Sequence, residues 1–235
     1  MDEQRTWNGV KMYRVEDKYF LSGEELYLME KRMGSILNYD GYSHEERGYK
    51  ISSLYFDDIC DTCLADTIDG NSQRDKYRIR IYEDSFDVVK LEVKSKYYNR
   101  TQKRTVNISR EEMKRLCCGE CIGAPNDLGN PRTAFNIAIL TRKLSPKVIV
   151  TYERKAYVYE TGNVRITFDY NIRGSNQINL FGDGNLIYDF PKDYDSVLEV
   201  KYDEFLPDFI AAMLEMNSMQ QISNSKYRIC REIYK

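Results

Sequence analysis

Basic side chains at every second position are the most informative chemical feature of this 235-residue sequence. Arg78 and Arg80 alternate with apolar residues in one segment, and Glu92 and Lys94 do so in the next. Arg binds phosphate oxygens as a planar fork, and Lys binds them as a point charge. Glu supplies the hard oxygen ligands that Mg²⁺ and Mn²⁺ prefer. This combination indicates phosphate chemistry.

Four further segments repeat the alternation. It pairs Glu16 with Lys18, Tyr152 with Arg154, Arg165 with Asp169, and Glu199 with Lys201. Because successive side chains of a strand point to opposite faces, the members of each pair share a face. Such faces are usually solvated. Two features favour an enclosed surface instead: the charges are mostly positive, and the opposite faces are apolar enough to pack on helices. An enclosed basic surface needs an anion and a metal ion to offset its self-repulsion.

Charge is distributed unevenly along a nearly neutral chain. The formal net charge is −2, and 31% of the residues are charged. Residues 74–104 include ten Lys and Arg against five Asp and Glu, whereas residues 183–208 include two against eight. A local basic region focuses positive potential, so we expect a compact anionic ligand. The balance excludes a uniformly basic nucleic-acid-binding protein, and the 20 Tyr residues are better explained as strand residues than as base-stacking groups.

Segments rich in Tyr, Val, Ile and Thr predict eight β-strands. They are 12–21, 48–56, 74–82, 88–97, 102–108, 147–159, 164–169 and 197–202. Short links between several of them predict antiparallel hairpins, and eight such strands suit a closed barrel. With no Pro- or Ser-rich linker, we expect a single α+β domain over residues 1–235, an eight-stranded antiparallel β-barrel with helices packed outside.

Capping signals predict five helices between or after these strands. The signals are capping boxes at Ser22/Glu25 and Ser109/Glu112, an Asn130–Pro131 start, Pro207, and Ser223 or Ser225. The helices are expected at about 23–37, 110–117, 131–143 and 207–216, with the last near the C-terminus. We also expect Cys60 and Cys63 to lie in a helical turn.

Compartment signals point to the cytoplasm. The longest apolar run, 209–214, has six residues, whereas a membrane helix needs about 20. No secretory signal is visible at the N-terminus, so we expect reduced cysteines. Two Cys-x-x-Cys pairs, at Cys60/Cys63 and Cys118/Cys121, have zinc-ligand spacing. Free thiols are the favoured interpretation, because three predicted strands separate the pairs.

An ordered set of short motifs is similar to a known family. The motifs are RVEDKY (14–19), SLYFD (53–57), YRIR (77–80), LEVK (91–94), VRITFD (164–169), LEVK (198–201) and SKYRIC (225–230). Each is weak alone, but together they span nearly the whole chain. The sequence resembles the VTC domain, the polyphosphate-polymerase domain of the vacuolar transporter chaperone complex. That domain belongs to the triphosphate tunnel metalloenzymes, with the CYTH phosphatases and RNA triphosphatases.

The resemblance implies a basic-walled tunnel and a set of site residues. The phosphate ligands would be Lys18, Arg78, Arg80, Lys94, Lys103, Tyr152, Arg154, Arg165 and Lys226, with Arg104 as the alternative to Lys103. Lys226 would lie at a tunnel mouth. Glu199 would be the principal ligand of Mn²⁺ or Mg²⁺, and Glu92 and Glu16 would be secondary ligands. The groups acting on the reacting phosphate would be Arg78, Arg80, Lys94, Arg165 and Glu199.

The resemblance also implies an activity, metal-dependent transfer of phosphoryl groups of triphosphate or polyphosphate. A polyphosphate polymerase using the γ-phosphate of a nucleoside triphosphate is the first expectation. Arg14 stands where CYTH members have the first Glu of E-x-E-x-K, which favours the VTC pattern over the hydrolysing enzymes. A triphosphatase and a polyphosphate-binding module without chemistry stay open. Family relatives work beside a membrane channel, so a separate membrane-protein partner is implied.

Overall fold

A computed structural model of the chain describes residues 6–7, 10–11, 15–41, 48–98, 100–192, 196–215, 220–222 and 225–235. Arg14, the departure from the CYTH pattern, lies outside these residues. The strands are β1 Thr6–Trp7, β2 Val10–Lys11, β3 Val15–Leu21, β4 Asn38–Tyr39, β5 Tyr49–Asp57, β6 Gln73–Tyr82, β7 Ser85–Tyr97, β8 Arg100–Ile108, β9 Ser145–Tyr159, β10 Val164–Ser175, β11 Ser196–Tyr202 and β12 Gln220–Gln221. All eight predicted strands are therefore present.

The helices of the described residues are α1 Gly23–Gly34, α2 Thr62–Ile68, α3 Arg110–Cys117, α4 Pro131–Arg142, α5 Asp208–Leu214 and α6 Lys226–Glu232. All of these except α2 begin at or next to a predicted capping signal. Both capping boxes form, and the Asn130 side chain accepts a hydrogen bond from the Arg132 amide. The last helix follows Ser225 rather than Ser223. None of the helices among the described residues has the length and apolarity needed to cross a bilayer.

The main strands form one antiparallel order, so the predicted α+β class is confirmed. The order runs β12-β3-β11-β10-β9-β5-β6-β7-β8, and β4 pairs with β9. Among the described residues no pairing joins β12 to β8, so the ladder is open at both ends. The chain divides into two compact units, which we describe separately. The first is Met1–Tyr49, Glu153–Asn171 and Asp193–Ser223; the second is Lys50–Tyr152, Ile172–Lys192 and Asn224–Lys235.

The core of the first unit lies between one face of its strands and two helices. Ile166 and Phe168 of β10 and Leu198 of β11 share that face and are fully buried. Met29 of α1 and Ile210 of α5 belong to the same apolar cluster. Burial of such side chains contributes about 1.5–3 kcal/mol each. The opposite face of the same strands therefore carries the alternating polar residues.

The second unit repeats this arrangement with other helices. Phe135 of α4 packs its ring edge-on against Phe56 of β5 and Tyr77 of β6, with centroids 5.4 and 5.2 Å apart. Ile79 and Leu91, directly opposite each other on β6 and β7, are buried on the same face. Aromatic edge-to-face pairs add about 0.5–1.5 kcal/mol to the area they bury. In both units, then, the apolar face packs on helices, as the alternation predicted.

Candidate functional site

The polar faces of the strands carry two clusters of charged residues, one in each unit. The Glu92 cluster, in the second unit, comprises Ser53, Tyr55, Arg78, Arg80, Glu92, Lys103, Tyr152 and Lys226. The Glu199 cluster, in the first unit, comprises Glu16, Lys18, Asp40, Arg154, Arg165, Asp169, Glu199 and Lys201. Each is described from its strands upward.

Strand register brings the residues of the Glu92 cluster together. Arg78 of β6 lies opposite Glu92 of β7 and Tyr55 of β5. One row along, Lys94 lies opposite Lys103 of β8. Directly opposite residues have Cβ atoms about 4.5–5.5 Å apart, close enough for long side chains to meet. Neighbouring rows on this face thus place Arg78, Lys94 and Lys103 around Glu92.

Glu92 is a buried carboxylate with three basic partners. Only 2% of its surface is exposed. Its carboxylate lies 2.5 Å from Arg78 Nε, 3.8 Å from Arg80 Nε and 3.9 Å from Lys103 Nζ. Burial alone would raise the pKa of Glu92, but the positive charges of Arg78, Arg80 and Lys103 outweigh it and hold that pKa well below its usual range. Glu92 is therefore ionised and acts as the internal counter-charge of this basic face.

The two arginines of β6 are held by hydroxyl groups as well as by Glu92. Arg78 Nη1 donates to Tyr55 Oη at 2.9 Å. Arg80 donates from Nε to Ser53 Oγ and from Nη2 to Tyr152 Oη, both at 3.4 Å. Arg80 is 7% exposed, so its position is fixed by packing as well as by hydrogen bonds. Fixed guanidinium groups bind an anion with less loss of conformational entropy than mobile ones.

Lys226 contributes the charge that comes from outside the strands. It is the first residue of α6, and its ammonium lies 5.0 Å from the centroid of the Tyr152 ring. The preceding Ser225 accepts a hydrogen bond from Lys76 Nζ at 2.8 Å. A cation over an aromatic face gains about 0.5–2 kcal/mol. Tyr152 thus contacts Lys226 through its ring and Arg80 through its hydroxyl.

The register distinguishes the two basic residues proposed from the segment 101–104. Lys103 lies opposite Lys94, on the face that carries Glu92. Arg104 lies opposite Val93, on the other face, where it donates to the carbonyl oxygen of Leu128 at 3.0 Å. Lys103, rather than the alternative Arg104, therefore shares the charged face.

Register also assembles the Glu199 cluster. Glu199 of β11 lies opposite Lys18 of β3 on one side and Thr167 of β10 on the other. Lys201 lies opposite Glu16 and Arg165. On the face that carries Glu199, acids and bases therefore alternate along β3 and β11, and each acid on one of these two strands lies opposite a base on the other. This is the face opposite to the one that packs on α1 and α5.

Glu199 is nearly buried and has three basic neighbours. It is 6% exposed. Its carboxylate oxygens lie 3.3 Å from Lys201 Nζ, 3.6 Å from Lys18 Nζ and 3.8 Å from Arg154 Nη2. Lys18 Nζ is also 2.9 Å from Glu16, so one ammonium joins two carboxylates. Burial lowers the pKa of Lys18, but Glu199 and Glu16 outweigh that effect and raise it above its usual value.

Two carboxylates that the site prediction left out hold the remaining arginines. Asp169, fully buried, accepts a bidentate pair from Arg154 at 2.6 and 2.7 Å. Asp40, which follows β4, accepts from Arg165 at 2.6 Å. Asp169 was detectable, because it alternates with Arg165 on β10. Asp40 follows a two-residue strand, β4, that sequence analysis did not predict.

The described residues offer few groups for a metal ion. They include no set of three or more His, Cys, Asp or Glu side chains placed to hold one, and all six cysteines are free thiols. Among the described residues, the two Cys-x-x-Cys pairs therefore do not come together in such a set. Mg²⁺ is commonly bound by one or two carboxylates and completed by substrate phosphates. Glu16 and Glu199, which share Lys18, fit that kind of site better than Glu92, whose carboxylate is held by Arg78 at 2.5 Å.

Solved structures with a similar fold include three of particular interest. One, from Bacillus halodurans and named a “putative adenylate cyclase”, has 12% identity, covers 86% of both chains and gives a TM-score of 0.50. A second of that name, from Vibrio parahaemolyticus, has 11% identity over 86% of this chain and 82% of that chain, with a TM-score of 0.45. The Mimivirus capping enzyme triphosphatase has 12% identity over 86% of both chains, with a TM-score of 0.38. A search of curated proteins finds no match.

Fold and charged faces together define an antiparallel α+β protein whose strands carry paired Arg, Lys and Glu residues on one side. The model of one family, the VTC domain, matches residues 13–235. The chain therefore belongs to the VTC domain family, and the resemblance inferred from the short motifs is confirmed.

Proposed function

We propose that this protein is a metal-dependent phosphotransferase acting on triphosphate and polyphosphate, and that it polymerises phosphate from the γ-phosphate of a nucleoside triphosphate. The observation that carries the proposal is the chemistry of the polar strand faces. Arg78, Arg80, Arg154 and Arg165 are each anchored by a carboxylate or hydroxyl of the same unit. Anchored guanidinium groups are suited to phosphate oxygens.

In this proposal the side chains act by charge and position. In the second unit, Arg78, Arg80 and Lys94 bind phosphate oxygens and offset the negative charge that develops during transfer. In the first unit, Arg165 has the same role by the family resemblance. Lys18, Lys103, Arg154, Tyr152 and Lys226 bind and orient the rest of the phosphate chain. A terminal oxygen of the growing chain attacks the γ-phosphorus. The bond between the γ-phosphorus and the oxygen that bridges the β- and γ-phosphates breaks, and the nucleoside diphosphate leaves with the electron pair of that bond.

Glu199, with Glu16 beside it, would hold Mn²⁺ or Mg²⁺ together with substrate oxygens. The metal ion, when bound, supplies Lewis-acid neutralisation of phosphate charge. In the chain itself, Lys18 joins the two carboxylates. We propose that bound phosphate attracts the Lys18 ammonium and so weakens its contacts with Glu16 and Glu199.

The experiment is to follow labelled γ-phosphate with Mn²⁺ or Mg²⁺ present and to separate long polymer from free phosphate. Arg78→Ala and Glu199→Gln should each lower the rate by about 100-fold or more, since the first removes a positive charge that stabilises the transition state and the second removes the charged ligand proposed for the metal ion. Lys103→Ala should weaken phosphate binding. Arg104→Ala is its matched control, because it removes the neighbouring cation from the opposite face. Unchanged turnover in Arg78→Ala and Glu199→Gln would falsify the proposal.

The form of the product separates the alternatives. Free phosphate without polymer identifies a triphosphatase, in which water replaces the phosphate chain as nucleophile. Tight tripolyphosphate binding without metal-dependent turnover identifies a binding module. The proposed substrates are a nucleoside triphosphate and polyphosphate, and the proposed location is the cytoplasm. The proposed protein partner is a separate membrane protein that receives the polymer. We expect no nucleic-acid partner.

A further inference from the structure

Helix α6, which carries Lys226, is fixed to the second unit by the next residue along the chain. Tyr227 is 1% exposed. Its hydroxyl donates to Asp57 Oδ2 at 2.6 Å, and its ring stacks on Tyr55 with centroids 5.0 Å apart and planes inclined by 24°. Burial, and next the charge of Asp57, raise the pKa of Tyr227 well above its usual value, so the hydroxyl keeps its proton as a donor.

Asp57 is a buried acceptor whose partners are all groups of the chain. It ends β5 and is 0% exposed. Besides Tyr227, it accepts from the backbone amides of Asp58, Cys63 and Leu64 at 2.9–3.0 Å. Four donors satisfy the acceptor sites of one carboxylate. Asp57 is thus saturated by protein donors, and its connection to α6 is through the Tyr227 hydroxyl.

Tyr227 also connects to the basic strand face. The hydroxyl of its stacking partner, Tyr55, accepts from Arg78 Nη1 at 2.9 Å. Lys226, adjacent in sequence, lies over Tyr152, whose hydroxyl accepts from Arg80. Tyr227 is therefore next to Lys226 of α6 in the chain and, through Tyr55, is connected to Arg78 of β6.

We infer that Tyr227 and Asp57 form a positioning pair that sets Lys226 and, through Tyr55, Arg78 for phosphate binding. The inference rests on the proposed function, because it assigns Lys226 to phosphate. Neither member of the pair is placed to touch the ligand, since both are buried and satisfied within the protein. A hydrogen bond to a buried carboxylate is among the stronger kinds, so its loss should loosen α6 while leaving the ring stacking intact.

The test is a double-mutant cycle with Tyr227→Phe and Lys226→Ala, read by tripolyphosphate binding and by the separate effects on KM and kcat. Tyr227→Phe should weaken tripolyphosphate binding about 5- to 20-fold. In the Lys226→Ala background the same change should weaken it less than about twofold, because the ammonium that it positions is missing and the Phe ring can still stack on Tyr55, which contacts Arg78. Arg228→Ala, which removes a half-exposed i,i+4 pair on the same helix, is the matched control and should leave binding unchanged.

Hydrogen exchange of the α6 amides tests the anchoring without any ligand. Exchange in α6 should be faster in Tyr227→Phe than in the wild-type protein, with the strand amides of β6 and β7 unchanged. Equal α6 exchange, or additive losses of binding in the cycle, would overturn the inference and leave Tyr227 a stability residue only. Absence of tripolyphosphate binding by the wild-type protein would instead contradict the proposed function.

Discussion

At the scale of single residues, Glu92 is the buried counter-charge of the basic strand face in the second unit. The family resemblance implies a secondary metal ligand at this position, and in the structure its carboxylate contacts Arg78, Arg80 and Lys103. A buried anion among three cations orients them and offsets their mutual repulsion. Phosphate can then bind to guanidinium groups that already point in fixed directions. We therefore interpret Glu92 as an organising carboxylate. Glu199, whose basic neighbours lie farther away at 3.3–3.8 Å and which shares Lys18 with Glu16, is the carboxylate we propose as the metal ligand.

This interpretation predicts a large loss of stability for Glu92→Gln. The substitution leaves three cations without their buried counter-charge, and breaking such a group typically costs about 3–5 kcal/mol. We expect the free energy of unfolding, measured in urea, to fall by about 3 kcal/mol. Glu120→Gln breaks an ion pair with Arg115 whose side chains are 59% and 55% exposed, so it should change that free energy by less than about 0.5 kcal/mol. Equal effects of the two changes would contradict the organising role.

At the scale of elements, local signals predicted most of what was found. Ser22, Ser109 and Asn130 cap their helices as predicted, because each capping residue and its hydrogen-bond partner lie within four consecutive residues. Charge alternation also predicted which face of each main strand packs on helices. The carboxylate partners of the arginines were harder to predict, since partners can be far apart in the chain: Arg165 and Asp40 are separated by 125 positions. Only strand pairing decides such contacts.

Helix α2 was predicted only as a turn because its caps come from the preceding strand. Its N-cap residue, Asp61, makes no capping hydrogen bond with its side chain and has a φ of 54°. Instead Asp57 accepts from the amides of Cys63 and Leu64, and Asp58 accepts from that of Thr62. Two acids at the end of β5 thus satisfy the first amides of α2. This arrangement has no sequence signature of the usual capping kind.

Asp58 should make the stability of this region depend on pH. Burial works against its ionisation, but hydrogen bonds from Thr62 and Arg142 outweigh burial and lower the pKa of Asp58 to about 2 from an ordinary 3.8. A carboxyl with a depressed folded-state pKa stabilises the fold above its unfolded pKa and loses that contribution as pH falls. The free energy of unfolding should therefore decline between about pH 5 and pH 2.

Urea unfolding of the wild-type protein and Asp58→Asn across that pH range measures this contribution. The variant should be less stable at pH 7 and should show a shallower decline toward low pH, because it lacks the titrating group. Asp87→Asn, at an exposed position on β7, is a control in which the decline should keep its wild-type slope. Parallel pH curves for the wild-type protein and Asp58→Asn would contradict the assignment.

Gly48 is required where the chain enters β5. Its φ is +64°, and a Cβ there would lie 2.3 Å from the carbonyl oxygen of Arg154. Gly48→Ala must therefore displace the backbone at Arg154, a residue of the Glu199 cluster. We expect the free energy of unfolding to fall by about 2 kcal/mol or more. Gly41→Ala, where a Cβ meets nothing within 4 Å, should change it by less than about 0.5 kcal/mol.

At the scale of the whole molecule, charge separation matters more than net charge. The chain has a formal charge of −2, yet the polar strand face of the second unit concentrates Arg78, Arg80 and Lys103 around the buried Glu92. An overall acidic protein repels a long polyanion at a distance, whereas an anchored basic cluster attracts a short, dense anion once it is close. This distribution favours a phosphate chain over a nucleic-acid backbone.

Thermal unfolding with added tripolyphosphate tests that distinction. A ligand at about 100 times its dissociation constant stabilises the folded state by about 2.7 kcal/mol. For a chain of this size that corresponds to a rise in Tm of about 5–10 °C. A single-stranded oligonucleotide with a 5′-hydroxyl end, at equal phosphate concentration, should raise Tm by less than about 1 °C, because its charges are spaced along a sugar backbone. Moderate salt should abolish even that rise. An oligonucleotide that stabilised the protein as well as tripolyphosphate does would instead identify a general polyanion-binding surface.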